Sequence, residues 1–243
     1  MTHALKINNL VKKYGDTQAL KNINLEIQDW DFFALLWING AGKTTIIGII
    51  TDLVNKTSGN VEIFGTNIDD DFAKAKSMVW VVPQEFNMDI FTKAIDVVTI
   101  QAGYYGIPKD IALKNAEKYL KVLGLWEKRN ARVIELSGWM KRRLMIARAL
   151  VHEPKLLILD EPTAWVDINL RKSTYEFLLD LNKSWTTILL TTHYLEEVEK
   201  LCNALAVIDK GEIIINSSKE AFLDQKTGSL TTELEEVFSK LTQ

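Results

Sequence analysis

One stretch constrains this chain more than any other: 34-ALLWINGAGKTTI-46. An apolar run, residues 32–36, leads into close-set glycines and then Lys43-Thr44-Thr45, where a helical pattern opens. A strand, a tight loop and a helix start point successive backbone N–H groups at one place, which makes a cradle for phosphate. Lys43 would reach the β- and γ-phosphates of a nucleotide, and the Thr44 hydroxyl would ligate Mg2+. The plainer alternative is a Gly-rich turn with an exposed lysine. Asn39-Gly40-Ala41-Gly42-Lys43-Thr44-Thr45 after an apolar strand speaks against it. The motif G-x-x-x-x-G-K-[ST] opens on a glycine six residues before the lysine, and that position is Trp37.

The pattern around this loop is that of an α/β protein. Residues 5–11 and 23–27 alternate as half-buried strands do, with 12–20 as a turn between them. Lys43 to Leu53 suits a helix, with Ile46, Ile47, Ile49, Ile50 and Leu53 on one face; 61–64 suits a strand. Helical periodicity marks 92–105, 108–123 and 138–152, the middle one through Ile111, Leu113, Ala116, Tyr119, Leu120 and Leu123. Strands return at 156–159, 187–191 and 204–208. Continuous apolar strands alternating with helices argue for a largely parallel sheet, with 85–150 as an inserted helical subdomain.

Composition narrows the function. The 243 residues are 47% hydrophobic and 25% charged, with a formal net charge of -3, so a basic nucleic-acid surface is not expected. A single cysteine, Cys202, forms no internal disulfide and suits a reducing compartment. The N-terminal residues do not look like a signal peptide. No apolar run approaches the ~20 residues a membrane span needs, so any membrane role goes through a partner.

A second motif is 156-LLILDEPTA-164. It is a buried strand with Asp160 at its carboxyl end, the edge where open α/β sheets bind ligands. Asp160 is placed for the Mg2+ shell and Glu161 to orient and deprotonate a water. The rival reading, two acidic residues ending a strand before Pro162, weakens beside the upstream loop.

With these residues in hand the chain resembles, over nearly its full length, the ATP-binding subunit of an ABC transporter. Val82-Pro83-Gln84 resembles the Q-loop, Leu136-Ser137-Gly138-Trp139-Met140 the signature motif, Ala164-Trp165-Val166-Asp167 the D-loop and Thr191-Thr192-His193 the switch-histidine strand end. Tyr14 matches the aromatic that stacks on adenine. The resemblance implies a P-loop NTPase core, an N-terminal antiparallel β-subdomain and an inserted helical subdomain. The core would comprise 1–84 and 151–218, with helices in 85–150 and a helical tail at 219–243. It implies ATP and Mg2+ as ligands. ATP would be held by Tyr14, Trp37, Ile38, Asn39, Gly40, Ala41, Gly42, Lys43, Thr44 and Thr45, and by Ser137 and Gly138 of a second copy. The metal would be held by Thr44, Gln84 and Asp160. Catalysis would fall to Glu161 as base, His193 on the γ-phosphate and Gln84 as sensor. Simple N-capping by Ser137, a satellite aromatic at Tyr14 and exposed side chains at Gln84 and His193 are the plainer readings. Lys141-Arg142-Arg143 reads as a solvated helix face.

The implied partners are a second copy of the chain and a separate transmembrane permease, at the cytoplasmic face of the membrane. Pro162-Thr163-Ala164 with Val166-Asp167, and Thr191 to Glu197, most resemble the bacterial export branch for drugs, lipids or polysaccharides. Two rivals remain: a soluble ABC ATPase with no transport role, and a catalytically impaired nucleotide-binding module.

Trp37 is one of a set. Trp30, Trp37, Trp80, Trp139, Trp165 and Trp185 all stand where the family pattern has glycine; only Trp126 suits its place. Moving those six across would leave one tryptophan and eighteen glycines, near the average glycine usage of about 7%. Three explanations stand: a sequence altered at these positions, a deliberately disabled variant, or a degenerate ATPase whose loops have adapted. The replacement of one residue type by one other favours the first. The chain as it stands is expected to bind ATP weakly, with Trp37 and Trp139 in nucleotide space.

Overall fold

The structure is a computed structural model that describes residues 3–37, 41–162, 168–184 and 186–224. Its first half holds β1 (His3–Tyr14), β2 (Thr17–Gln28), β3 (Phe32–Trp37), α1 (Lys43–Ile50), β4 (Ser58–Ile63), β5 (Thr66–Asn67), α2 (Phe72–Ser77), β6 (Val79–Val82), α3 (Ala94–Tyr104) and α4 (Lys109–Val122). Its second half holds α5 (Gly138–Leu150), β7 (Leu156–Asp160), α6 (Ile168–Lys183), β8 (Thr187–Thr192), α7 (Leu195–Leu201), β9 (Ala204–Asp209), β10 (Glu212–Ser218) and α8 (Lys219–Asp224).

The alternation read at the N-terminus builds an antiparallel sheet in the order β2-β1-β4-β5. Leu5, Ile7, Leu10, Ile23, Leu25 and Ile27 form its buried face. The segment expected as a turn, 12–20, is instead strand almost throughout: Lys12 pairs with Leu20 and Tyr14 with Thr17. Backbone pairing carries the hairpin past the point where apolar side chains run out, and only Gly15-Asp16 turns.

The second sheet runs β10-β9-β3-β8-β7-β6, parallel from β9 to β6. Both faces of β3 are buried. Phe32, Ala34 and Leu36 join the core shared with α3, α4 and α5, while Phe33 and Leu35 join the core of α1 and the antiparallel sheet. A strand covered on both sides needs apolar residues at every position, hence Phe-Phe-Ala-Leu-Leu. Register fixes the functional edge. Leu36 lies opposite Thr192, Thr191 opposite Asp160, and Leu159 opposite Val82. The carboxyl ends of β3, β8, β7 and β6 therefore reach one rim, where ligands of parallel sheets bind.

Two helix faces differ from expectation. α1 stops at Ile50, and Leu53 is 83% exposed. Asp52 takes φ 59, Val54 N donates to Gly48 O at 3.0 Å, and Val54 packs back in place of Leu53. A β-carbon on Gly48 would meet Val54 Cγ2 at 2.7 Å, so the missing side chain is what admits the turn. On α4 the buried stripe is Ala112, Ala116, Tyr119 and Leu120, while Ile111 and Leu113 are 44% and 42% exposed. β10, which hydropathy did not single out, pairs antiparallel with β9. No helix among the described residues is long and apolar enough to cross a membrane.

Candidate functional site

At the rim, β7 delivers two carboxylates in succession. Asp160 Oδ1 accepts from Lys43 Nζ at 2.7 Å and from Thr191 Oγ1 at 2.6 Å. Glu161 follows with φ 48, a conformation that costs a side-chain-bearing residue roughly 1–2 kcal/mol. Its backbone N–H is held by Thr191 O at 3.0 Å. The turn buries the Glu161 side chain and points it at three partners. Lys43 Nζ lies 3.3 Å from Oε1, Gln84 Nε2 donates to Oε2 at 3.1 Å, and His193 Nδ1 lies 3.6 Å from Oε2. Lys43 itself is buried at the first position of α1. The structure thus brings Lys43, Gln84, Asp160, Glu161 and His193 together from α1, the end of β6, β7 and the end of β8.

The loop that leads into α1 ends on a glycine that nothing else could replace. Gly42 has φ 101, and a β-carbon there would meet Leu20 Cδ2 at 2.7 Å and Ala19 O at 3.0 Å. Ala41 is buried, Thr45 half-buried and Thr44 exposed on the first turn, open to a ligand. Ile38, Asn39 and Gly40 lie outside the described residues. Tyr14 is 49% exposed at the tip of the β1–β2 hairpin, whose Leu20 touches Gly42; Lys12 Nζ sits 4.5 Å over its ring. Trp37 lies across the site. Its ring takes Lys43 Nζ at 4.2 Å and meets His193 edge-on at 5.8 Å. Its Nε1 is buried with no partner among the described residues, a state that costs about 1–3 kcal/mol.

Ser137 and Gly138 are exposed at the start of α5, where Ser137 Oγ accepts from Met140 N at 3.2 Å. The N-capping reading of Ser137 therefore holds, and capping leaves the serine exposed. Among the described residues no hydrogen bond joins Ser137 or Gly138 to the Lys43 cluster of their own chain. Trp139 packs within its own chain. Its ring lies 4.6 Å from Arg143 Cζ and lines a cleft of about 190 Å³ with Leu123, Ser173 and Phe177. The D-loop residues Ala164, Trp165, Val166 and Asp167, and Trp185, lie outside the described residues.

The reading of Lys141-Arg142-Arg143 as a solvated face is overturned by Arg142, which is 3% exposed. Its Nη1 donates to Pro83 O and its Nη2 to Gln84 O, both at 2.6 Å. Burial lowers its pKa, and the charges of Asp160 and Glu161 oppose that shift. Arg143 donates to Leu123 O at 3.1 Å and Arg148 to Asn87 Oδ1 at 2.6 Å. α5 is thus fastened to the loops around it by arginines. A signal was present: Arg142 sits three, four and seven residues before the buried Met145, Ile146 and Ala149.

A glycine-capped helix start facing strand-end carboxylates on a parallel sheet places the chain among phosphate-loop nucleotide-binding proteins. More narrowly, it belongs to the ABC transporter family, whose model matches residues 20–164. It is 38% identical over 234 residues to Nod factor export ATP-binding protein I of Cupriavidus metallidurans, covering 96% of this chain and 77% of that one. It is 36% identical over 230 residues to linearmycin resistance ATP-binding protein LnrL of Bacillus subtilis, covering 95% and 74%. Among solved structures, cbiO1 of Clostridium perfringens, part of the ABC transporter complex cbiONQ, has a TM-score of 0.83 at 30% identity over 93% of this chain and 92% of that one. An ATP binding subunit of an ABC transporter at 23% identity has a TM-score of 0.87 and shares the fold over 99% of this chain and 100% of that one.

Proposed function

We propose that this chain is the ATP-hydrolysing subunit of an ABC exporter, in which two copies enclose ATP and drive a separate membrane subunit. The observation that carries the proposal is the convergence of Lys43, Gln84 and His193 on buried Glu161, with Asp160 alongside. Lys43 would leave the carboxylates to meet the β- and γ-phosphates. The Thr44 hydroxyl, Gln84 carboxamide and Asp160 carboxylate form an all-oxygen set that fits Mg2+, which when bound offsets phosphate charge. Glu161 would take a proton from the attacking water as that water's oxygen bonds to the γ-phosphorus and the bond to ADP breaks. His193 would hold the γ-phosphate, and the exposed Ser137–Gly138 helix start would meet the nucleotide of the other copy. Phe86, Ile90, Phe91, Ile100 and Tyr104, all at least 42% exposed beyond Gln84, suit a membrane partner's surface.

Glu161→Gln tests this reading. Phosphate release should fall by about 100-fold or more while ATP is still bound, the scale of a lost general base. Retained turnover in a chain free of Trp37 would remove Glu161 from its role. A second reading, a binding module without turnover, is favoured by the ring of Trp37 over Lys43. It predicts no phosphate release even with the membrane partner present.

A further inference from the structure

We infer that the functional protein carries glycine at positions 30, 37, 80, 139, 165 and 185, because its source cell reads as glycine a codon, UGA, that stands as tryptophan in the sequence. The substitutions of tryptophan for glycine are read against the family pattern, so the inference rests on the ABC assignment. Its consequence for the site rests on the proposed ATPase function.

Each of the six that the structure describes sits badly, and each in a way that glycine would cure. Trp30 has φ 69, in a turn closed by Asp31 N donating to Gln28 O at 3.3 Å. Asp29 before it has negative φ, so Trp30 occupies the turn position that calls for glycine. Trp37, Trp80 and Trp139 each bury an indole N–H with no partner among the described residues. Trp80 is wedged against Tyr105 and His152, whose two ring nitrogens are likewise buried without partners. Trp165 and Trp185 lie outside the described residues.

Trp126 is the internal control. Its ring lies against Arg129 Cζ at 4.4 Å and Lys121 Nζ at 5.3 Å, and its carbonyl accepts from Arg129 Nη1 at 3.0 Å. Its indole nitrogen is not among the buried atoms left without a partner. The tryptophan that suits the family pattern is ordinary; those that do not are strained or unsatisfied.

Rival accounts fail on placement. A chain disabled on purpose would be changed at its site, yet Trp30 and Trp80 lie away from the Lys43 cluster. A decaying ATPase would lose varied residues, yet Lys43, Gln84, Asp160, Glu161 and His193 are all present and converge. Independent drift at glycines would produce alanine, serine and aspartate as well as tryptophan. One codon with one altered meaning accounts for all six at once. UGA fits because it is one base from a glycine codon and from the tryptophan codon UGG, and its reading differs between genetic codes. Glycine at 37 completes G-x-x-x-x-G-K and uncovers Lys43; glycine at 139 completes the paired glycines of the signature motif.

The test is to read the gene and the protein of the source cell together. UGA is expected at the six positions and UGG at 126, with glycine in the corresponding peptides by mass spectrometry. UGG at the six positions, or tryptophan in those peptides, overturns the inference. A second arm compares the chain as it stands with one carrying W30G, W37G, W80G, W139G, W165G and W185G together. The glycine chain should unfold at higher temperature and bind ATP at least about tenfold more tightly. Equal stability and equal affinity would overturn the structural case. A glycine chain that is more stable and binds ATP but releases no phosphate supports the inference and defeats the ATPase reading instead.

Discussion

The sheet rim and helix α5 both hold Glu161's surroundings in place, by opposite means. At the rim, side chain meets side chain: Lys43, Gln84 and His193 all approach one carboxylate, so no single contact fixes it. At α5, a single buried guanidinium grips two main-chain carbonyls, those of Pro83 and Gln84. The rim is redundant and local. The α5 clamp is one guanidinium that links the helix capped by Ser137 to the residue that touches Glu161. A shift of α5 would therefore bear on the carboxylate through Gln84.

Arg142→Ala breaks that contrast most directly. Two part-buried carbonyls lose a charged donor, so stability should fall by about 1–2 kcal/mol by chemical denaturation. In the glycine-bearing chain kcat for ATP should fall about tenfold with KM little changed, since the tie positions Gln84 and does not touch the nucleotide. Arg142→Lys keeps charge but lacks the fork, and should recover less than half of the loss in kcat. A stability loss with kcat unaltered would make the clamp purely structural.

The far end of α5 sharpens the comparison through pH. His152 follows the helix, stacked on Tyr105 at 3.9 Å, and burial pushes its pKa from 6.5 down to about 4. The folded state thus favours the neutral ring. Its contribution is fully present above about pH 6.5 and is lost as pH falls toward 4. Allowing for the ring's partial exposure, the effect is on the order of 2 kcal/mol. His152→Gln should flatten the acid limb of a stability–pH curve, while the Arg142 clamp stays charged throughout. The slope should also shrink with W80G, because Trp80 no longer covers the ring. An unchanged limb in both variants would assign acid sensitivity elsewhere.

What was legible in the sequence follows the same division. Lys43, Asp160 and His193 end or begin elements whose apolar runs are unmistakable, so their meeting at one rim follows from parallel-sheet topology alone. The hairpin extending across 12–20 was not legible, because backbone pairing leaves no mark on polar side chains. Leu53 was misplaced because the helix period continues on paper past Ile50, while Gly48 and Asp52 turn the chain. Arg142 falls on the buried period of α5, against its reading as part of a solvated face. Its partners are carbonyls 58 and 59 residues away, which no local pattern can show.

The smallest effect tests how far the clamp depends on its covering. Phe86 caps Arg142, with Cζ 5.3 Å from the ring centroid, and the phenylalanine is 49% exposed. A cation–π contact at so open a site contributes about 0.5–1 kcal/mol. Phe86→Ala should therefore cost no more than this and leave phosphate release by the isolated chain within about twofold. If the geometry of the two carbonyls sets the arginine, removing its cover changes little. A tenfold loss of turnover in Phe86→Ala would mean that the guanidinium is aimed by the ring above it. The tie between α5 and Gln84 would then run through a surface that a membrane partner could press upon directly.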